Sequence, residues 1–267
     1  MVTKAEAKAK RAKARVTGRP PPTPIGVGKE RANLEGALPP PSVGYRRGGD
    51  SPPFLAVRSR LHRWASLGAP RSVLDLLAYG VKPSWLRDPP KRQVRFRVRN
   101  QHQLELIKPL IDEYVQVGAM RKLQMHEVRN IKFLIDWFII EHPKSRLILN
   151  CVPINKHMTP PPKFRMENWS TIFPHLQKGW WGVKIDLKNA YFHLGVSPQL
   201  KKYLNINVGE DVYACDAACF GLGHLPFLWT KTMKVLVRVW RIKGLLVFVY
   251  LDDILIINPC KVLLQNQ

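Results

Sequence analysis

Acidic residues are scarce in this chain: 19 Asp and Glu face 43 Lys and Arg in 267 residues, a formal charge of +24 with a pI near 10.3. That imbalance exceeds what solubility needs, and a polyanion such as nucleic acid is its simplest partner, although ribosomal-type and membrane-surface proteins are also basic. Cysteine is scarce too. Cys151, Cys215, Cys219 and Cys260 are too few and too unevenly placed for a disulfide framework, and no Cys-x-x-Cys pair points to zinc. A reduced, intracellular setting is expected, with nucleus and cytoplasm both open. No apolar run reaches the length of a membrane span, and the basic N-terminus lacks the apolar core of a secretory signal. A soluble or complex-bound protein without a membrane partner is the expectation. No internal repeat is evident.

What is present suffices for a core of ordinary size: 45% of residues are hydrophobic, and one or two domains are expected. The first stretch alternates Ala with Lys and Arg, as in Lys8-Ala9-Lys10-Arg11-Ala12-Lys13-Ala14-Arg15. It fits a nascent helix on phosphates, a nuclear-import signal or a solvated tail. Pro20 to Pro53 is rich in Pro and Gly and reads as a linker. Through Arg87 there are seventeen Lys and Arg against five Asp and Glu, so half of the excess charge lies in the first third of the chain. The expected division is a tail and linker over 1–58, an N-terminal extension with further structure over 59–180, a second part over 181–258, and a short tail over 259–267.

Order is expected to begin near Leu61, where Trp64, Leu67, Val73, Leu74, Leu76 and Leu77 suit short helices. An amphipathic helix is predicted to open near Pro109, a tolerated first-turn residue, and to stop at Gly118. Arg146 to Asn150 reads as a strand, and Trp181 to Leu187 as another with Asp186 near its end. Tyr203 to Val208 and Val212 to Phe220 suit a hairpin, followed by a long helix from Pro226 to near Gly244. The order of strand, short helix, two strands, long helix and strand pair predicts an α+β fold, an antiparallel sheet with helices packed on one face.

The stretch that organises the chain is Tyr250-Leu251-Asp252-Asp253, between the β-prone runs Leu245 to Tyr250 and Ile254 to Ile257. Ionised carboxylates among apolar neighbours cost several kcal/mol unless solvated, hydrogen-bonded or neutralised by cations. An ordinary hairpin turn with solvated acids also fits those four residues. If the strand ending at Asp186 lies beside that hairpin, three carboxylates converge as hard oxygen donors suited to Mg²⁺. Two such ions serve phosphoryl or nucleotidyl transfer.

Lys184-Ile185-Asp186-Leu187-Lys188-Asn189-Ala190-Tyr191-Phe192-His193 resembles the first catalytic motif of retroelement reverse transcriptases. Phe220-Gly221-Leu222-Gly223-His224-Leu225-Pro226 resembles their template- and nucleotide-positioning motif, and Tyr250-Leu251-Asp252-Asp253 resembles their second catalytic motif, in the same order and at typical separations. The similarity runs from roughly Leu61 to Asn258, and its style is closest to DIRS-like tyrosine-recombinase retrotransposons. The resemblance implies a right-hand polymerase with fingers over 59–180 and a palm over 181–258, and no thumb within these residues. It implies Asp186 and Asp252 as principal ligands of two Mg²⁺ or Mn²⁺ ions, with Asp253 adjacent. It implies Arg146 on the triphosphate, Tyr191 under the incoming sugar, and Phe220 and Gly221 lining the nucleotide pocket. The implied partners are an RNA or DNA template with primer and deoxynucleoside triphosphates.

This sequence departs from the pattern at Asn189, where relatives commonly have Asp, at Cys219 in place of Pro, and at Leu225 in place of Ala. None of these removes a metal ligand. On their own, Tyr191 fits a half-buried core aromatic, Arg146 a solvated surface residue, and Gly221 a simple bend. Cys215 and Cys219 read as small core residues alternating on one strand, and His193 as structural. Lys163, Arg165, Lys178, Lys188, Lys201 and Lys202 are candidates for contact with the nucleic-acid backbone. Two competing readings remain: a catalytically inactive nucleic-acid-binding relic of such a polymerase, and an unrelated two-metal nuclease.

Overall fold

The protein is described from a computed structural model over residues 51–141 and 145–265. The basic Ala/Lys/Arg stretch and most of the Pro-rich linker expected before Ser51 lie outside the described residues. Among the described residues, eight strands form three antiparallel sheets rather than one. Met120–Lys122 (β1), Asn205–Val208 (β5) and Asp211–Cys215 (β6) make the first, in the order β1-β6-β5. Asp136–Ile140 (β2) and Arg146–Asn150 (β3) form a separate hairpin. Trp181–Asp186 (β4), Leu246–Tyr250 (β7) and Asp253–Asn258 (β8) make the third, in the order β4-β8-β7. The expected single sheet is thus divided, because β1 and β2, not anticipated as strands, recruit β6 and β3 as their own partners.

Helical order is visible before Leu61. Pro53–Arg58 is a helix inside the segment expected to be linker. Phe54 holds it in place by packing with Phe192, Ala217 and Ala119. The helix expected at Pro109 instead runs Gln101–Gln116. Asn100 opens it by accepting the Gln103 N–H at 2.8 Å, a strong start that outweighs the lost donor of Pro109 in its middle. The stop near Gly118 is as expected: Gly118 adopts φ +69° just past the last turn.

The 3-10 turn Ala190–His193 and the helix Pro198–Lys201 connect β4 to β5. The long helix Leu225–Ile242 carries Pro226 in its first turn, where a missing N–H is harmless. It lies against the third sheet: Trp229, Met233, Leu236 and Trp240 share an apolar groove of about 380 Å³ with Ile185, Ile254 and Ile256. Alternation along β4 and β8 puts those isoleucines on one face and Lys184, Asp186 and Asp253 on the other. The largest core cluster joins Val73, Leu77, Ile107, Trp137, Ile206 and Val247, among others. Asp216 is buried within this body, and Arg121 at 3.5 Å and Lys201 at 2.5 Å compensate its charge.

Candidate active site

Asp186 is the last residue of β4 and Asp253 the first of β8, and the register sets them directly opposite each other. Asp252 sits one step away in the turn, where its main-chain oxygen accepts the Leu187 N–H at 2.9 Å. Residues far apart in sequence are therefore brought to one end of one sheet. Like charges opposed across a ladder repel, so the arrangement needs a counter-charge. Lys184 supplies one. Two residues before Asp186 and on the same face, its Nζ stands 2.9 Å from Asp253 Oδ1. The hydrogen bond to Asp253, with the charges of Asp253, Asp186 and Asp252, raises the pKa of the lysine.

The turn itself is strained. Leu251 has φ +53°, a left-handed conformation that few non-glycine residues adopt outside functional sites. Trp229, buried on the long helix, donates its indole N–H to the Leu251 carbonyl at 2.9 Å and anchors the loop that displays Asp252. Glu167 accepts the Val249 N–H at 2.7 Å and also takes the Arg241 guanidinium, tying the preceding loop to β7.

Tyr191 is buried and its ring lies 4.8 Å from that of Phe220 and 6.3 Å from that of Trp229. Burial, followed by the charge of Asp252, pushes its phenol up to about 12. It is therefore a protonated hydroxyl near the acids at neutral pH. Phe220 is exposed beside it. Gly221 has φ +109°, and a Cβ there would lie 2.6 Å from the Leu149 oxygen and 3.2 Å from Cys151 Sγ. Only glycine permits this approach. Asn155 clamps the loop by donating to the Gly221 oxygen at 2.8 Å and accepting the Gly223 N–H at 3.0 Å.

Arg146 begins β3 on the separate hairpin and its side chain is exposed; it shares no sheet with the acids. Of the candidate phosphate contacts, Lys188 pairs with Glu113 at 3.0 Å and Lys201 with Asp216, so both are engaged within the protein. Lys163, Arg165, Lys178 and Lys202 are exposed. His193 contacts the Ala190 oxygen at 3.0 Å and lies beside Trp229, a structural placement. Cys215 closes β6, but Cys219 lies four residues on, outside the strand, so the two do not alternate along it as expected. With Cys151 they form a buried thiol cluster. Hydrogen bonds to Cys219, then burial, push Cys151 and Cys215 well above the ordinary thiol range.

Four residues that matter to this geometry carry no distinct signal in the sequence. Lys184 falls inside the first motif and Asn155 outside all three, and both look like any polar residue, while Trp229 and Glu167 act across 22 and 82 positions of sequence. Among the described residues, no group of three or more His, Cys, Asp or Glu side chains is arranged to hold a metal ion. The donors nonetheless suit a hard cation, since they are carboxylate oxygens and an ammonium already stands against one of them. Mg²⁺ in particular binds through one or two carboxylates and completes its shell with water and substrate phosphate, rather than in an all-protein cage.

Comparison with known proteins agrees with this part of the chain. Residues 143–266 match the family model described as reverse transcriptase (RNA-dependent DNA polymerase). The genome polyprotein of Petunia vein clearing virus (isolate Shepherd) is 30% identical over 115 residues, 43% of this chain and 5% of that protein. Protein P of duck hepatitis B virus (isolate brown Shanghai duck S5) is 28% identical over 130 residues, 48% of this chain and 16% of that protein. The chain thus spans a small fraction of the curated relatives it matches. Residues 143–266 are thus similar to the reverse transcriptase family, and just under half of the chain is similar to these viral proteins.

Proposed function

We propose that the chain forms the fingers and palm of an RNA-directed DNA polymerase of a retrotransposon, DIRS-like in style, that extends a primer on an RNA or DNA template. The observation that carries this reading is the opposition of Asp186 and Asp253 across β4 and β8, with the Asp252 main chain bonded to Leu187. It sets the acids of two separate motifs at one sheet end, within reach of Tyr191 and Phe220. The reaction is attack of the primer 3′-hydroxyl on the α-phosphorus of a deoxynucleoside triphosphate, with pyrophosphate leaving.

Asp186 and Asp252 are the residues that would hold two Mg²⁺ or Mn²⁺ ions. Bound there, such ions supply activation of the attacking hydroxyl and neutralise charge on the leaving oxygen. Tyr191 and Phe220 form an aromatic wall for the sugar, where a packed ring leaves no room for a 2′-hydroxyl. Gly221 lets the main chain approach the nucleotide, and Asn155 holds that loop in place. Arg146 takes the triphosphate with its fork of donors.

Primer extension on an RNA template with Mg²⁺ or Mn²⁺ tests this reading. The native chain is expected to incorporate nucleotides and Asp252→Asn to fall to background. Equal incorporation by both eliminates the site. Absence of incorporation by either, with salt-dependent binding of the primer–template retained, favours the non-catalytic relic instead.

A further inference from the structure

Three acidic side chains at one sheet end repel one another unless a counter-charge stands beside them, and Lys184 is such a charge. Asp186 and Asp252 take no part in the lysine's ion pair; Asp253 does, through Oδ1 at 2.9 Å. Lys184 is largely exposed, with 67% of its side chain accessible, so burial does not force it there. The register supplies the reason: Lys184 faces Leu255 across the ladder, one diagonal step from Asp253, and diagonal neighbours lie within reach of a long side chain. The absence of a three-donor cluster among the described residues fits the same picture. One of the three carboxylates is turned to an ammonium rather than to a shared centre.

We propose that Lys184 is a built-in counterion that withdraws Asp253 from the cation-binding set, leaving Asp186 and Asp252 to hold divalent metal and setting how tightly they do so. This rests on the reading of Asp186 and Asp252 as ligands. Lys184 is thus a positioning residue that acts through Asp253. It keeps the acids from repelling one another before metal arrives and keeps the site weak enough that metal enters with the nucleotide's phosphates. Without the lysine, Asp253 becomes a third oxygen donor and metal binds ahead of substrate.

The test is titration of the full chain with Mn²⁺ alone, free Mn²⁺ being read by its electron paramagnetic resonance signal and folding checked by circular dichroism for every variant. Lys184→Met is expected to tighten Mn²⁺ binding by about three- to tenfold, the screened effect of removing one nearby positive charge, while Lys184→Arg stays near the native value. Asp253→Asn is expected to change binding less than about twofold in the native background yet to abolish most of the gain in Lys184→Met, the non-additivity expected of partners in direct contact. Asp253→Asn weakening Mn²⁺ equally in both backgrounds, or Lys184→Met leaving binding unchanged, overturns the proposal. A Lys184→Met variant that loses primer–template affinity with Mn²⁺ binding unchanged assigns the lysine to the nucleic-acid backbone and overturns it as well. Asp252→Asn separates the two levels: if it weakens Mn²⁺ binding while Lys184→Met does nothing, only the counterion role fails. If Asp252→Asn has no effect, the ligand assignment fails and the proposal with it.

Discussion

The first and third sheets each have three strands but differ in what surrounds them. In β1-β6-β5, Met120, Asn205, Ile206, Asn207, Val212, Ala214 and Cys215 are buried, and even Asp216 just beyond β6 is covered and paired. In β4-β8-β7, every residue of β4 is exposed, and burial is confined to Val247 and Ile254 on the face turned to the long helix and to Phe248 and Ile257 on the other, where they pack with Ile172. Burial of apolar surface is what stabilises a fold, so the sheet without the acids bears most of the load. The sheet with them is left open to water along β4.

That division predicts unequal responses to truncation. Ile206→Ala, at a fully buried site, should lower stability by about 2–5 kcal/mol. Ile185→Ala on β4, which is 41% exposed, should cost a fraction of that. Chemical denaturation of both variants checks the contrast, and equal losses would break it.

Gly221→Ala is expected to cost about 1–3 kcal/mol, since it adds strain at a left-handed φ and sets a methyl 2.6 Å from the Leu149 oxygen. Incorporation should fall further than stability does, because the displaced loop carries Phe220; thermal melts beside primer extension separate the two. Trp229→Phe keeps an aromatic ring in the buried site but removes the N–H that meets the Leu251 carbonyl. About 1–2 kcal/mol is lost with that bond, and the expected reading is a fall in melting temperature of several degrees with a drop in turnover at low temperature larger than that destabilisation explains. A melting temperature that falls in step with turnover would make Trp229 a core residue only.

The smallest effect concerns Glu127, beside the buried sheet. Hydrogen bonds from Arg121 and from the Gln124 N–H hold its carboxyl at about 2, below the usual 4.5. A carboxyl depressed on folding stabilises above the unfolded value and loses that contribution as pH falls through the folded one. Native protein should therefore lose a small advantage over Glu127→Gln between roughly pH 4.5 and pH 2, visible as converging denaturation midpoints. Parallel curves would show that the pair contributes nothing.

Much of this was legible from residue order. The strand ending at Asp186, the hairpin around Gly209, the long helix and the last hairpin all fall close to where apolar alternation and turn residues place them. The separation into three sheets was not, since Met120 to Lys122 is too short to show a period and pairs with residues over ninety positions away. Pro109 misled because proline marks a first turn more often than a helix interior, whereas the real signal was the capping side chain of Asn100. The acids were found because carboxylates among β-branched residues demand an explanation. Lys184, in the same motif, was invisible as a partner because a lysine on a strand usually faces solvent and its choice of Asp253 depends on register alone.

Gly221 has a mechanical consequence. Its main chain rests against Leu149 and Cys151, at the far end of the same strand that begins with Arg146. Two surfaces keyed together without a side chain between them leave no slack, so any tilt of that hairpin would carry Phe220 with it. On the proposed reading, a pull on Arg146 from the phosphates would reach the aromatic pair through the main chain alone.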